Sequence, residues 1–266
     1  MIETGAIDIG PSQLAVALVF ILMAGVASIL HALRLERDLL LGTVRTFAQL
    51  YLMGYGLKLI FRLNEFTLVL SVFLFMIVFA AWTIYSRIRE KELSFFTPVL
   101  TSMIVSFFLV SYIVTRVIVD IDPWWSPRYF LPLGGMVIGN SMNAIAIALE
   151  RLLNDLKTNR KEVEMKLCLG ADYKEATALL VANAMRAGMI PTINSMMTVG
   201  VVFIPGMMTG QILAGADPVL AIKYQIVVMI MLVGSTTIGT LISVLVTRRR
   251  CFSKEQTLLL RPKGTR

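Results

Sequence analysis

His31, Cys168 and Cys251 are the only imidazole and thiol side chains among the 266 residues. A Cys/His zinc site or a disulfide framework needs more ligands at tighter spacing, so neither is expected. There is no Gly-x4-Gly-Lys-Ser/Thr stretch, no His-Glu-x-x-His and no Gly-x-Ser-x-Gly. The chain therefore lacks the phosphate cradle of an ATPase and the usual signatures of a metalloprotease or serine hydrolase. No residue is assigned a catalytic role, the metal ligands stay unknown, and an enzyme is not expected.

The polar chemistry that remains sits inside apolar blocks, where it suits a pathway better than a reaction. Arg45 and Gln49 lie one turn apart on a single helix face. An ionisable side chain at that depth faces a bundle interior or water, or snorkels to the interface. Glu150 ends a later block and could pair with Arg45. Asn140 and Asn143 project from similar sides of one helix, and amides in lipid find partners across a helix interface or along a polar path. Met207, Met208, Thr209 and Gln211 follow Pro205 and complete the pathway candidates. Thioethers are soft ligands that favour Cu(I) over iron or aluminium, and flexible core filling is the plainer role of the 16 methionines. Pro191 and Pro205 should break or kink their helix, and such gaps expose carbonyls that can line a cavity. Gly135 with Gly139, and Gly206 with Gly210, have the spacing of close helix packing, and one pair could lie at a dimer seam.

A second constellation lies in the only long polar stretch, about 151–187. The spacing predicts a short helix over 161–169 with Val163 and Leu167 on its apolar side. Gly170 can take the left-handed conformation that ends it. Asp172 can cap the next helix, with Glu175 three residues on closing a box. The product is a helix, a glycine turn and a helix.

The elements that must position these groups follow from composition. The chain is 57% hydrophobic and 16% charged, with a mean hydropathy of +0.77, where a soluble domain carries about a quarter charged residues. Blocks at 12–33, 39–61, 66–85, 98–119, 132–149, 188–208 and 221–246 reach the roughly 20 residues that span a bilayer core. The expected fold is all-α, a polytopic transmembrane bundle of about seven spans. It forms one transmembrane domain over residues 1–266, with a basic, mobile tail at 248–266. The start of the sixth span could instead lie nearer Thr177, which would place Arg186 in the membrane. Trp124 and Trp125 look like interfacial anchors. No basic residue precedes the first block, so a cleaved signal peptide is not expected. The net charge of +8 comes from residues between the blocks, which argues for membrane orientation and against nucleic acid. With the N-terminus outside, 19 of the 25 Lys and Arg fall on the inner side and 5 on the outer. That asymmetry puts the C-terminus and the polar stretch in the cytoplasm.

The run Glu164-Met165-Lys166-Leu167-Cys168-Leu169-Gly170-Ala171 resembles the coupling loop of ABC transporter permeases, with Met165 and Lys166 where two alanines are usual. Together with residues 43–50, 132–143 and 202–215, it resembles the UPF0014 (FetB-like) family over nearly the whole chain. The resemblance implies a permease subunit of an ATP-driven transporter in the bacterial inner membrane. It also implies a homodimer that works with a separate, FetA-like cytoplasmic ATPase. Glu164, Leu167, Gly170, Ala171 and Asp172 would couple the two subunits. ATP and Mg²⁺ would bind the ATPase, with no cofactor on this chain. Iron export and metal homeostasis are implied by the family alone, plant aluminium-tolerance permeases being similar. An ATP-independent carrier or channel is the alternative, and it would be indifferent to Glu164 or Gly170 substitution.

Overall fold

The computed structural model describes residues 9–88 and 95–260. The charged run at 89–92, the acidic pair Glu3 and Asp8, and the last six residues of the tail lie outside the described residues. What is described is helical: α1 (Pro11–Leu30), α2 (Glu36–Leu63), α3 (Phe66–Arg87), α4 (Phe96–Tyr112), α5 (Pro127–Thr158), α6 (Arg160–Cys168), α7 (Tyr173–Ala176), α8 (Ala178–Thr198), α9 (Gly206–Leu213) and α10 (Pro218–Arg250). A π turn, Ile113–Ile118, continues α4. No β-strand occurs among the described residues, only isolated bridges.

Five of these helices are long and apolar enough to cross a membrane: α1, α3, α4 with its π turn, α5 and α10. The other two expected blocks form α2 and α8. Both are long enough, but Arg45, Lys58 and Arg62 in α2 and Arg186 in α8 dilute their apolar character.

Several helix bounds differ from expectation. α5 begins at Pro127, runs through Pro132 and extends to Thr158. The first part of the polar stretch, through Thr158, is thus a continuation of that helix. Its inward face stays apolar there, with Leu152, Leu153 and Leu156 buried. α8 starts at Ala178, ten residues before 188 and at the alternative boundary near Thr177, so Arg186 falls inside it. Pro191 does not break α8, whereas Pro205 sits in the gap between α8 and α9 as the residue preceding α9.

α5 and α10 form the centre. α5 packs on α3, α8 and α10, and α10 packs also on α4 and α9. Phe73, Phe107, Phe130, Ile145, Leu149 and Leu152 fill the space between them and are fully buried. Buried hydroxyls bridge the central helices: Ser102 with Ser243 at 2.6 Å, and Ser141 with Thr236 at 3.1 Å. Such interhelical bonds replace the hydrophobic driving force that is missing between helices in lipid. Trp124 packs its ring on Tyr112 at 5.2 Å and on Phe130 at 5.6 Å, tying the connection after the π turn to the core.

Close helix approach occurs at other glycines than the sequence spacing suggests. A Cβ on Gly188 would lie 2.6 Å from the Ala144 carbonyl oxygen, and one on Gly134 would collide with the Phe73 ring. Gly135 would meet only the Met76 methyl, at 3.1 Å, and Gly139, Gly206 and Gly210 have open space around them.

The tail also departs from expectation. Beyond α10, residues 251–260 turn back as a strap in which Cys251, Phe252, Leu258 and Leu260 are buried. Apolar side chains spaced through a basic segment give it a packed face, so it does not hang free.

Candidate functional site

The elbow after α5 forms as the local signals direct. α6 ends at Cys168, and Gly170 follows with φ +96°, a left-handed angle that a Cβ disfavours. The Asp172 carboxylate accepts from the Glu175 amide at 2.7 Å, while the Glu175 carboxylate accepts from the Asp172 amide at 3.3 Å. This reciprocal cap satisfies donors that a helix start leaves free. Thr177 then donates to the Tyr173 carbonyl at 2.6 Å, and α8 departs.

Glu164 accepts from Arg160 Nε at 2.7 Å along α6. Arg160 also donates to the carbonyls of Leu260 and Leu258 in the strap. The Tyr173 amide donates to Gln256 at 3.0 Å, and its ring meets Phe252 at 5.5 Å under the guanidinium groups of Arg248 and Arg249. Between α6 and the strap lies an open groove of about 690 Å³. Its walls include Glu164, Leu167, Gly170 and Ala171 on one side and 254–258 on the other. Four of the five expected coupling residues thus share one surface, and Asp172 holds the turn behind them. Met165 and Leu169 project outward beside the groove, 56% and 80% exposed.

The pathway candidates do not form one site. Asn140 and Asn143 lie together. Both line a cavity of about 100 Å³ between α5 and α8 that also takes in Gly188, Thr192 and Ser195. Asn140, Thr192 and Ser195 also border a second cavity of about 300 Å³, lined as well by residues 203–205 of the gap, by Gly206 and Met207 at the start of α9, and by α10. The two spaces therefore adjoin along a polar track. Arg87 Nη1 lies 3.4 Å from the Asn143 oxygen at one end. Gln225 lines the other end, and its Oε1 is buried without a hydrogen-bond partner among the described residues.

Arg45 and Gln49 are exposed on α2, away from this track, and Arg45 makes no ion pair with Glu150 among the described residues. The pairing fails because α2 presents those residues outward while Glu150 lies on the exposed side of α5. Met208, Thr209 and Gln211 belong to α9. Thr209 donates to the Pro205 carbonyl at 3.1 Å, and Gln211 Oε1 is buried without a hydrogen-bond partner among the described residues. Neither residue borders the track, nor does Met208. Among the described residues no group of His, Cys, Asp and Glu could hold a metal ion.

Thr192, Ser195, Gln225 and Arg87 were missed in the sequence. A signal exists for Gln225: it is an amide inside an apolar block, the criterion that selected Asn140. α10 also buries Thr236, Thr240, Ser243 and Thr247, a helical repeat of hydroxyls that marks its inward face.

Comparison with known proteins fits this architecture. The model of the uncharacterised protein family UPF0014 matches residues 11–252. The UPF0014 membrane protein slr1647 of Synechocystis is 38% identical over 230 residues, covering 86% of this chain and 89% of that protein. The probable iron export permease protein FetB of Escherichia coli is 33% identical over 253 residues, covering 95% and 96%. Protein ALUMINUM SENSITIVE 3 of Arabidopsis thaliana is 34% identical over 232 residues, covering 86% and 82%. No solved structure matches the chain. The family model spans most of the chain, relatives above 30% identity align over most of its length, and the chain belongs to the UPF0014 family.

Proposed function

We propose that this chain is the permease subunit of an ATP-driven exporter of iron or another metal, acting as a homodimer with a separate ATPase. The observation that carries the reading is the elbow, a short helix fixed by a left-handed glycine and a reciprocal cap, with apolar side chains presented outward. A chain without a nucleotide cradle needs such a rigid lever to receive work from a partner. The partner binds ATP and Mg²⁺, and closure of its subunits is delivered to α6. Glu164, Leu167, Gly170, Ala171 and Asp172 make or support that contact.

In this reading the whole chain is one permease domain that crosses the bacterial inner membrane seven times, α2 and α8 included. The N-terminus is outside, and the elbow and C-terminus are in the cytoplasm, as the Lys and Arg asymmetry supports. The bilayer core disfavours a metal cation, so a polar route must replace its water. The track from Asn143 through Asn140, Thr192 and Ser195 to Gln225 supplies neutral oxygen donors for that purpose. The iron assignment follows the E. coli relative's name.

The test is to co-express the chain with a candidate FetA-like ATPase, purify the pair into lipid discs and follow iron-stimulated ATP hydrolysis. Metal uptake into inverted vesicles is measured in parallel. Stimulation and uptake are expected for the pair, and loss of both on substitution of Gly170 by Val. Uptake that persists without the ATPase, and ignores changes at Glu164 and Gly170, would establish an ATP-independent carrier instead.

A further inference from the structure

We propose that the docking surface for the ATPase is composite: α6 forms one wall and the C-terminal strap, residues 251–260, forms the other. The proposal deepens the permease reading and rests on it. The strap carries no recognisable motif, and its role follows from how it is held.

Two anchors fix it. Phe252 is buried against the Tyr173 ring, and Arg160 holds the carbonyls of Leu258 and Leu260 while its Nε engages Glu164. One guanidinium thus ties the coupling helix to the strap, so a displacement of α6 moves both walls. Between the anchors Gln256 accepts from the Tyr173 amide at 3.0 Å, while Lys254, Glu255, Gln256 and Thr257 all stay exposed. The open groove of about 690 Å³ is continuous with the α6 face that carries the coupling residues. Its occupant is a segment of the ATPase subunit, a protein surface with an apolar knob and charges of both signs. Leu167, Ala171 and Leu258 offer apolar lining, while Lys254 and Glu255 offer one charge of each sign, neither in an ion pair among the described residues. The Glu255 carboxyl is held below its ordinary range by its own backbone amide and the Ser253 hydroxyl, so it stays ionised. With Arg160 and Lys254 set against Glu164 and Glu255, the lining carries no excess positive charge of the kind that would select a polyanion.

The experiment places a photo-cross-linking amino acid at Met165 on α6 and, separately, at Thr257 on the strap. The full-length chain is co-expressed with its ATPase. Phe252→Ala, which removes the first anchor, is combined with each probe, and monodispersity in detergent shows that the chains are folded. Both probes should cross-link to the ATPase, and Phe252→Ala should lower the yield at 257 severalfold while sparing 165. Cross-linking at 165 alone overturns the composite surface and leaves the permease reading standing. Cross-linking at neither position overturns both. Capture at 257 alone, or a yield there that Phe252→Ala leaves unchanged, also defeats the proposal, because it requires two walls and an anchored strap.

Discussion

Gly170 has φ +96° and nothing within 4 Å of where a Cβ would stand, so replacing it is a matter of backbone strain alone. Gly170→Ala should destabilise the elbow by about 1–2 kcal/mol. Amide exchange across 160–176 should then quicken by about tenfold, which mass spectrometry of exchanged peptides would read. Asp172→Ala removes a cap worth about 1 kcal/mol, whereas Asp172→Asn keeps a capping oxygen and should retain most of it. These two residues were legible in the sequence because turn and cap chemistry is local. Arg45 and Gln49 were not, because the direction in which a polar side chain faces depends on which helices lie beside it. Cys251 is a residue that tertiary burial redefines. Desolvation raises its thiol from 9.0 to about 12, so the folded state keeps the proton longer than the unfolded chain. Its contribution is therefore complete below pH 9.0 and is lost as pH rises toward about 12. Thermal unfolding of Cys251→Ser beside the parent, followed through that alkaline range, should show a shallower decline for the variant.

Helix contact is where spacing misled. A Gly-x3-Gly repeat defines a helix face but not the neighbour that meets it, and the neighbour follows from crossing angles set by the whole bundle. α8 meets α5 at Gly188 because Ala144 and Ala148 leave room for backbone approach, a Cβ there lying 2.6 Å from a carbonyl oxygen. Gly188→Ala must push α8 off α5 and should cost about 1–3 kcal/mol. Gly139→Ala, which meets nothing within 4 Å, should leave the melting temperature in detergent unchanged. Equal shifts for both variants would mean that the α5–α8 contact is not the tight one. The same logic explains the helix bounds. The apolar block ending at 149 was readable, but α5 continues because its buried leucines recur at helical spacing through Leu156, a signal masked by charges on the opposite face. The gap before α9 was foreshadowed by Pro205, while Pro191 is accommodated in α8, as prolines in membrane helices commonly are when neighbours satisfy the freed carbonyl.

At the scale of the molecule, the number of crossings and their direction decide whether the elbow can meet an ATPase at all. The all-helical class and five of the apolar helices were readable from composition, since lipid leaves a spanning chain few other backbone solutions. The strap was not readable, because its order comes from contacts with Tyr173 and Arg160 that are distant in sequence. The two cysteines give a direct measurement of orientation without engineering. Cys168 is exposed beside the groove, and Cys251 is buried. Cys251 is also protonated at neutral pH, its thiol pushed up to about 12, and only thiolate attacks a maleimide at a useful rate. A membrane-impermeant maleimide at neutral pH therefore reports on Cys168 alone. If the elbow is cytoplasmic, inside-out vesicles should label and intact spheroplasts should not until detergent is added. Cys168→Ser should abolish the signal, and Cys251→Ser should leave it intact. Labelling of intact spheroplasts would put α6 on the outer surface, out of reach of any cytoplasmic ATPase, and the coupling mechanism would fall with it. Protection of Cys168 in inside-out vesicles only when the ATPase is co-expressed would show the same thiol to lie under the docked subunit.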